Sequence, residues 1–550
     1  MTNHQISDHF SLLSKLMDIH GENSFRAKSY SIAAYNIDKL PKEASEMSET
    51  ELFGMKGIGE STGQKILELI HTGKMEQLET IIAKTPQGIL EMMQIKGLGP
   101  KKIAQVWKEM GIESVGELEY ACNENRLVAF KGFGAKTQES ILKNIAFIRA
   151  NQNFHLWAEV ESVAHHLISE LHNANEGKLF SLSGDIRRQI PTLETIDIVT
   201  NADPDNLKAQ FAPIEGTTFE EDGYTLTAQI PNQIDIKFHF CTADKFDETV
   251  FRTSASDEFL ETFDKQYKIP SDSKSEAEIF SSNNLQFIPP AMRETAAVLE
   301  KAKQGSIPEL IQPEDIKGII HSHSTWSDGS NSIEQMAKAC IEKGYEYMVI
   351  SDHSQAAFYA NGLTPERIAE QHHEVDALNE KLAPFKIFKS IEVDILNDGS
   401  LDYGDDVLAT LDLVIASVHT NLKMTQEKAM ERVLKAVRHP MTTILGHPTG
   451  RLLLSREGYP LDHKVIIEEC VKNNVVIEIN AHPRRLDLDW TWISYAIEAG
   501  PLLSIDPDAH AIEGYHDVYY GVKAAQKGGL TKDKNLSSFS LKEFEEFLKG

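Results

Sequence analysis

The sequence predicts a multidomain α/β protein: an all-α first third, an α+β middle and a C-terminal distorted (β/α)7 barrel. Three observations carry this prediction. Within the first 150 residues, a Lys-Gly-apolar-Gly turn precedes an amphipathic helical stretch three times. From about residue 316, apolar β-rich runs alternate with helical stretches, the pattern of a parallel sheet with helical crossovers. Seven of those runs end in residues able to bind a metal.

A chain of 550 residues has room for about three or four domains with real cores. Its formal net charge is -28, unevenly spread. Residues 1–150 carry 18 Lys+Arg against 19 Asp+Glu, so this third is nearly neutral and the remainder holds almost all the excess negative charge. A nucleic-acid contact is easiest to place in the first third, and the acidic remainder argues against broad coating of DNA. Cys122, Cys241, Cys340 and Cys470 are widely spaced and read as reduced, buried thiols of a cytoplasmic protein. The N-terminal residues have no basic segment followed by an apolar core, so no secretory signal is expected. No apolar run approaches the ~20 residues of a membrane span.

Residues 5–50 read as helices, with apolar residues at helical spacing. The turns then follow in MKGIGESTGQKILELI, IKGLGPKKIAQVWKEM and FKGFGAKTQESILKNI, at Gly57/Gly59, Gly97/Gly99 and Gly132/Gly134. Glycines there permit positive φ and leave backbone N–H groups open at a helix N-terminus, a nest that holds a phosphate without reading bases. The three copies resemble the helix-hairpin-helix motif of DNA repair proteins. That resemblance implies DNA-backbone binding through these glycines and Lys101. Residues 1–85 are similar to the N-terminal domain of DNA polymerase beta-like proteins, and residues 86–150 to its fingers-like continuation. Lys65 matches the position where those relatives keep a Schiff-base lysine, but Ser61 replaces a second phosphate-binding lysine. A solvated helix lysine is therefore the preferred reading of Lys65.

Residues 151–312 contain LFSLSGDIRRQIPTLETIDIVT and QIDIKFHFC. They resemble the palm of X-family DNA polymerases: Gly-Ser-x-Arg-Arg, then Asp-x-Asp on one strand and a third Asp on a neighbour. In that family the carboxylates hold two magnesium ions. Gly184, Arg187 and Arg188 match, as do Asp197 and Asp235. Thr195 stands where the first carboxylate belongs, Asp185 replaces a serine that would meet triphosphate, and Thr253-Ser254-Ala255 is the nearest approach to a Thr-Gly-Ser turn. Losing one of three carboxylates removes a metal site. The palm (151–240), with its thumb-like segment and linker (241–312), is expected to be a remnant that holds DNA without a full magnesium complement.

In IKGIIHSHSTWSDG, His321 and His323 close a strand, and period-two alternation points both imidazoles to one face. Asp328 follows closely enough to join them. Two imidazoles and a carboxylate suit zinc, manganese or iron. Later runs end in His353, Glu392, His419, His447 and the Asp508–His510 pair. In barrels of this kind catalytic residues gather at the C-terminal ends of strands. Residues 316–550 resemble the PHP (polymerase and histidinol phosphatase) family nearly end to end. The resemblance implies a cluster of up to three divalent ions held by His321, His323, Asp328, His353, Glu392, His419, His447, Asp508 and His510, with Glu392 bridging. It places His321, His323, His353 and Asp508 in the catalytic centre. Arg451, in GHPTGR, is a candidate for a substrate phosphate, as are His482 and Arg485. Ser351 and Asp352 are candidates to orient ligands.

The resulting expectation is a DNA-repair phosphoesterase acting on gapped, nicked or abasic DNA, as 3′–5′ exonuclease, 3′-phosphodiesterase or phosphatase, or abasic-site endonuclease. One alternative is a gap-filling polymerase that proofreads with its PHP domain. Another is a small-molecule phosphatase of the histidinol-phosphatase type.

Overall fold

In the computed structural model, which describes every residue except Pro41, Lys56, Asn125, Gln152, Asp272 and Gly550 and only the backbone of Ala129 and Ala150, the chain divides into residues 1–152 and 153–550. The first unit is all helical. Helix α1 (Asn3–His20) opens on a Thr2/Gln5 capping box, and Gly21 at φ 75° turns the chain into α2 (Ser24–Asp38). The three glycine turns share one geometry. Gly57, Gly97 and Gly132 lie at φ 81°, 88° and 93°, where an L-residue is strained. The apolar residue between each glycine pair (Ile58, Leu98, Phe133) is buried and donates its N–H three residues back, to Met55, Ile95 and Phe130. Helices α3 (Glu60–Thr72), α4 (Pro100–Lys108) and α5 (Ala135–Asn151) follow directly. The lysine of the first turn, Lys56, lies outside the described residues.

The second unit begins with helix α6 (Trp157–Ala174) and a five-stranded mixed sheet. Its strands are β1 (Phe180–Ser183), β2 (Thr195–Thr200), β3 (Thr218–Asp222), β4 (Thr225–Gln229) and β5 (Asp235–Phe240), in the order β1-β2-β5-β4-β3. Only β2 and β5 run parallel, with Thr195 opposite Asp235 and Asp197 opposite Lys237. A phenylalanine cluster (Phe251, Phe259, Phe263, Phe280) organises the following helices.

Seven parallel strands then form a nearly closed barrel: β6 (Gly318–Ser322), β7 (Tyr347–Ile350), β8 (Lys386–Asp394), β9 (Leu413–Ser417), β10 (Ile444–Leu445), β11 (Val476–Asn480) and β12 (Leu503–Asp506). Each run read as a strand forms one. A bridge between Ser322 and Ala509, with His323 N–H donating to the Ala509 carbonyl at 2.8 Å, draws the two ends together. Strand residues alternate as period two requires. Met348, Val414 and Ile477 pack with the surrounding helices, while Tyr347, Leu413 and Val476 pack with Leu536 and Phe544 of the C-terminal segment. Three cysteines are buried as expected, but Cys241, on the turn after β5, is half-buried beside the Thr200 carbonyl. Among the described residues no helix is long and apolar enough to cross a membrane.

Candidate metal centre

Glu392, near the end of β8, is buried between four imidazoles. Its Oε1 lies 2.9 Å from Nε2 of both His419 and His447 and 3.3 Å from Nε2 of His321. Its Oε2 lies 2.9 Å from Nδ1 of His353. Three donor sets emerge, each with its ligand atoms within 4.8 Å of one another: His323, Asp328, His353 and His510; His321, His323, Glu392 and Asp508; and His353, Glu392 and His419. His447 joins through Glu392. All nine residues expected as ligands therefore converge at one end of the barrel.

The donor set fits divalent cations. Nε2 of His321, Nδ1 of His353 and Oε2 of Glu392 are buried with no hydrogen-bond partner among the described residues, although oppositely polarised groups face them. Buried polar atoms are ordinarily paired. Burial, then His510 and His353, push the His323 imidazole well below its usual range, leaving a neutral ring with a lone pair. Burial alone would raise the Glu392 carboxyl, but His419, His321 and His353 hold it well below the carboxylate range.

The convergence of His321 and His323 differs from a simple strand alternation. His321 sits at φ 61°, beside a register shift between Ile319 and Ser322, and His323 lies past the end of β6. The bulge re-aims the first imidazole, bringing the two ring centroids to 5.3 Å.

Supporting groups surround the candidate ligands. Glu478 on β11 accepts from His321 Nδ1 at 2.6 Å, from the His447 N–H at 3.0 Å and from Asn480 Nδ2 at 2.9 Å. Asp394 meets His419 Nδ1 at 3.2 Å. Such contacts fix which ring nitrogen faces a metal. Asp352 accepts from the Ser324 N–H at 2.8 Å, from the Ser327 hydroxyl at 2.5 Å and from Gln371 Nε2 at 2.6 Å, pinning the segment that carries His323 and Asp328. Ser351 contributes no such bond, its hydroxyl being buried without a partner among the described residues. Sequence reasoning missed Glu478, Asp394 and Asn480. The signal for Glu478 was present in NVVIEIN, where a carboxylate interrupts an otherwise apolar strand.

Arg451 departs from its expected role. Its guanidinium donates to the Arg485 carbonyl at 2.8 Å, the Leu486 carbonyl and the Asp489 carboxylate, so its donors are occupied within the protein. Arg485 instead reaches the site, with Nε 3.7 Å from Asp508 Oδ2. His482 is tied by its N–H to Asn480 Oδ1 at 3.2 Å.

In the five-stranded sheet, Asp197 and Asp235 are brought to the adjacent strands β2 and β5, but Asp197 is already engaged by its neighbours. Asp197 accepts from Thr195 Oγ1 at 2.7 Å and lies 2.6 Å from His239 Nε2. Gly184, at φ 61°, leaves room for Asp197, whose Cγ would lie 2.6 Å from an added Cβ. Arg187 is not free for a triphosphate: it pairs with Glu276 and donates to Ser254 at 3.0 Å. Arg188 pairs with Glu294 at 2.9 Å and with Asp185, the residue that replaces a serine of the family pattern.

In the helical unit, Gly59 and Gly99 cap α3 and α4 in extended backbone with no side-chain cap, so their first-turn N–H groups have no side-chain acceptor there. Gly134 stands just before α5, and Lys101 is exposed on α4. Lys65 is half-buried on α3.

Residues 1–75 match the helix-hairpin-helix domain family, residues 89–145 the SAM-like helix-hairpin-helix tandem, and residues 320–482 the PHP domain. Asp508 and His510 lie beyond that last span. Along its length the chain is 35% identical to the DNA polymerase/3′-5′ exonuclease PolX of Bacillus subtilis (strain 168), with 97% of each chain covered. It is also 25% identical, over 244 residues, to a probable phosphatase of Thermoanaerobacter sp. (strain X514), covering 42% of this chain and 93% of that one.

Proposed function

Since the chain belongs to the family of bacterial PolX proteins, we propose that it is a cytoplasmic DNA-repair phosphoesterase whose barrel hydrolyses DNA phosphoesters while the helical unit and the palm hold the DNA. The division is that read from the sequence: residues 1–85 and 86–150 bind backbone, 151–240 and 241–312 form palm and thumb remnants, and 316–550 carry the chemistry. The observation behind this reading is Glu392 ringed by His321, His353, His419 and His447. Divalent ions held there by the nine ligands would polarise a phosphoryl oxygen and acidify water. The chain's own contribution is positional. Glu478 and Asp394 orient His321 and His419, Asp352 secures the Ser324–Asp328 segment, and Arg485 offers a guanidinium beside Asp508 for a substrate phosphate. The candidate reactions are 3′–5′ exonuclease, 3′-phosphodiesterase or phosphatase, and abasic-site cleavage.

Loss of nucleotide transfer is part of the proposal. Thr195 engages one oxygen of the Asp197 carboxylate and His239 the other, so the carboxylate that magnesium would need is already occupied.

The test places purified protein, with manganese, on gapped, nicked and abasic DNA, with and without deoxynucleotides, beside a His321→Ala/His323→Ala variant. Strand shortening or abasic cleavage that the variant lacks, with no extension, supports the proposal. Nucleotide addition would establish the gap-filling reading, which the likeness to a protein named as a DNA polymerase favours. Turnover of small phosphate esters alone would favour the phosphatase reading, to which the barrel's likeness to probable phosphatases points.

A further inference from the structure

The loop between His353 and helix α7 (Pro365–Leu382) is built in an unusual way. Phe358 and Tyr359 at its tip are 85% and 60% exposed, and among the described residues of the barrel no other aromatic side chain is left open to this degree. Exposed apolar side chains ordinarily sit singly and without constraint. Here the segment beneath them is held from several directions. Its neck is closed by the Leu363 N–H donating to the His353 carbonyl at 2.8 Å, and Gly362 packs so tightly that an added Cβ would lie 1.8 Å from the Ser354 carbonyl oxygen. On one side the Ala356 N–H donates to Asp402 at 2.7 Å and the Gln355 N–H to the Tyr403 hydroxyl at 3.1 Å. On the other, Asn361 Nδ2 donates to the Trp326 carbonyl at 3.0 Å, and Arg367 donates to the Asn361 carbonyl at 2.8 Å.

These ties connect the loop to two arms of the metal centre. It leaves directly from His353, and it is fastened to Trp326, two residues before Asp328. Partial burial, then the negative charge of Asp394, Glu392 and Asp328, push the Tyr359 hydroxyl up to about 12. The two rings meet edge-on, with centroids 6.1 Å apart at 78°, leaving the outer face of Phe358 open. The segment Ser354–Gly362 contains no Lys, Arg, Asp or Glu, so the tip offers a π-face and no charge to a phosphate. Of the parts of a DNA strand, only the base has a matching flat face. Base–aromatic stacking also tolerates any base, as a nonspecific enzyme requires.

We propose that Phe358, buttressed by Tyr359, stacks on the base of the terminal nucleotide whose phosphoester enters the metal centre, and so sets the preference for nucleic-acid ends over small phosphate esters. The assignment rests on the DNA-phosphoester reading above.

The experiment uses the full chain with manganese and three substrates. They are a single-stranded oligonucleotide, the same oligonucleotide with a 3′-terminal sugar lacking its base, and glycerol 2-phosphate. The expected KM of the wild-type protein is about tenfold lower for the oligonucleotide with the terminal base. Phe358→Ala should erase that difference by raising the lower KM, with kcat on glycerol 2-phosphate unchanged, and Phe358→Trp should preserve it. A Phe358→Ala protein that keeps the difference, or that loses rate equally on both oligonucleotides, overturns the assignment. A Phe358→Ala change in sedimentation with both KM values unaltered would also overturn it, giving the two rings to a protein contact. If the wild-type protein turns over glycerol 2-phosphate but neither oligonucleotide, the DNA reading itself fails, and this assignment fails with it.

Discussion

Nδ1 of His353 lies 2.9 Å from Oε2 of Glu392, yet neither atom has a hydrogen-bond partner among the described residues. Two buried polar atoms approach closely without the alignment of a hydrogen bond, as ligands of a shared cation do. Chelation is therefore expected to destabilise the second unit. Ions at a hundredfold excess over Kd stabilise a fold by about 2.7 kcal/mol, a shift of a few degrees in Tm. In scanning fluorimetry a chelator should lower the Tm of the wild-type protein, whereas Glu392→Gln should begin lower and respond little.

Glu478 is not among the nine expected ligands, yet it accepts from His321 and from the backbone of His447. Glu478→Gln should weaken metal affinity by about 10–100-fold. Metal titration followed by activity at saturating manganese will check this: restored turnover at high metal marks a positioning role, and unaltered affinity rejects it.

Arg451 and Arg485 should separate cleanly. Arg451→Met leaves Asp489 without its guanidinium partner, and a loss of about 2 kcal/mol is expected, with little change in KM. Arg485→Met should instead raise KM for phosphate substrates with little change in Tm. Paired denaturation and steady-state measurements distinguish the two.

Lys101 is exposed beside the second glycine turn. Lys101→Glu should weaken binding to duplexes of unrelated sequence by similar factors and reduce the slope of log K against log salt by about one. A sequence-dependent loss, measured by fluorescence anisotropy, would contradict a backbone contact.

Lys527 is buried where helix Val518–Lys527 meets the segments that carry Arg188 and Glu294. It donates to the Arg188 carbonyl at 2.7 Å and to Glu294 at 2.7 Å, and it lies over the Trp490 ring. Burial lowers its ammonium to about 8, against the opposing pull of Glu294. The unfolded chain then binds more protons than the folded one between about pH 8 and the ordinary lysine value, so this group's contribution to stability rises with pH across that window. The urea midpoint of the wild-type protein should rise relative to Lys527→Met from pH 8 to pH 10, and a constant difference would refute this.

Much of this was legible along the chain. The seven strands were readable because each is an apolar run bounded by turn residues, and the candidate ligands stood out as metal-capable residues at or near the ends of those runs. The glycine turns were readable because positive φ restricts the residue type at Gly57, Gly97 and Gly132. Arg451 shows where such reading fails. A guanidinium beside GHPTG looks the same in sequence whether it faces a phosphate or Asp489, and only the fold chooses. Arg187 repeats the lesson, since its partner Glu276 lies 89 residues away.

By itself, then, the sequence determined what depends on local pattern: the order of helices and strands, the backbone positions open to glycine alone, and the residue types able to bind metal. Tertiary structure decided which of those groups meet. It set Glu392 among four histidines drawn from four other segments, brought Glu478 to His321 across 157 residues, and occupied Asp197 with His239 instead of leaving it open. The physical reason is range. Backbone preference and burial periodicity act within a few residues, whereas hydrogen bonds and charge pairing depend on distances that chain closure alone establishes.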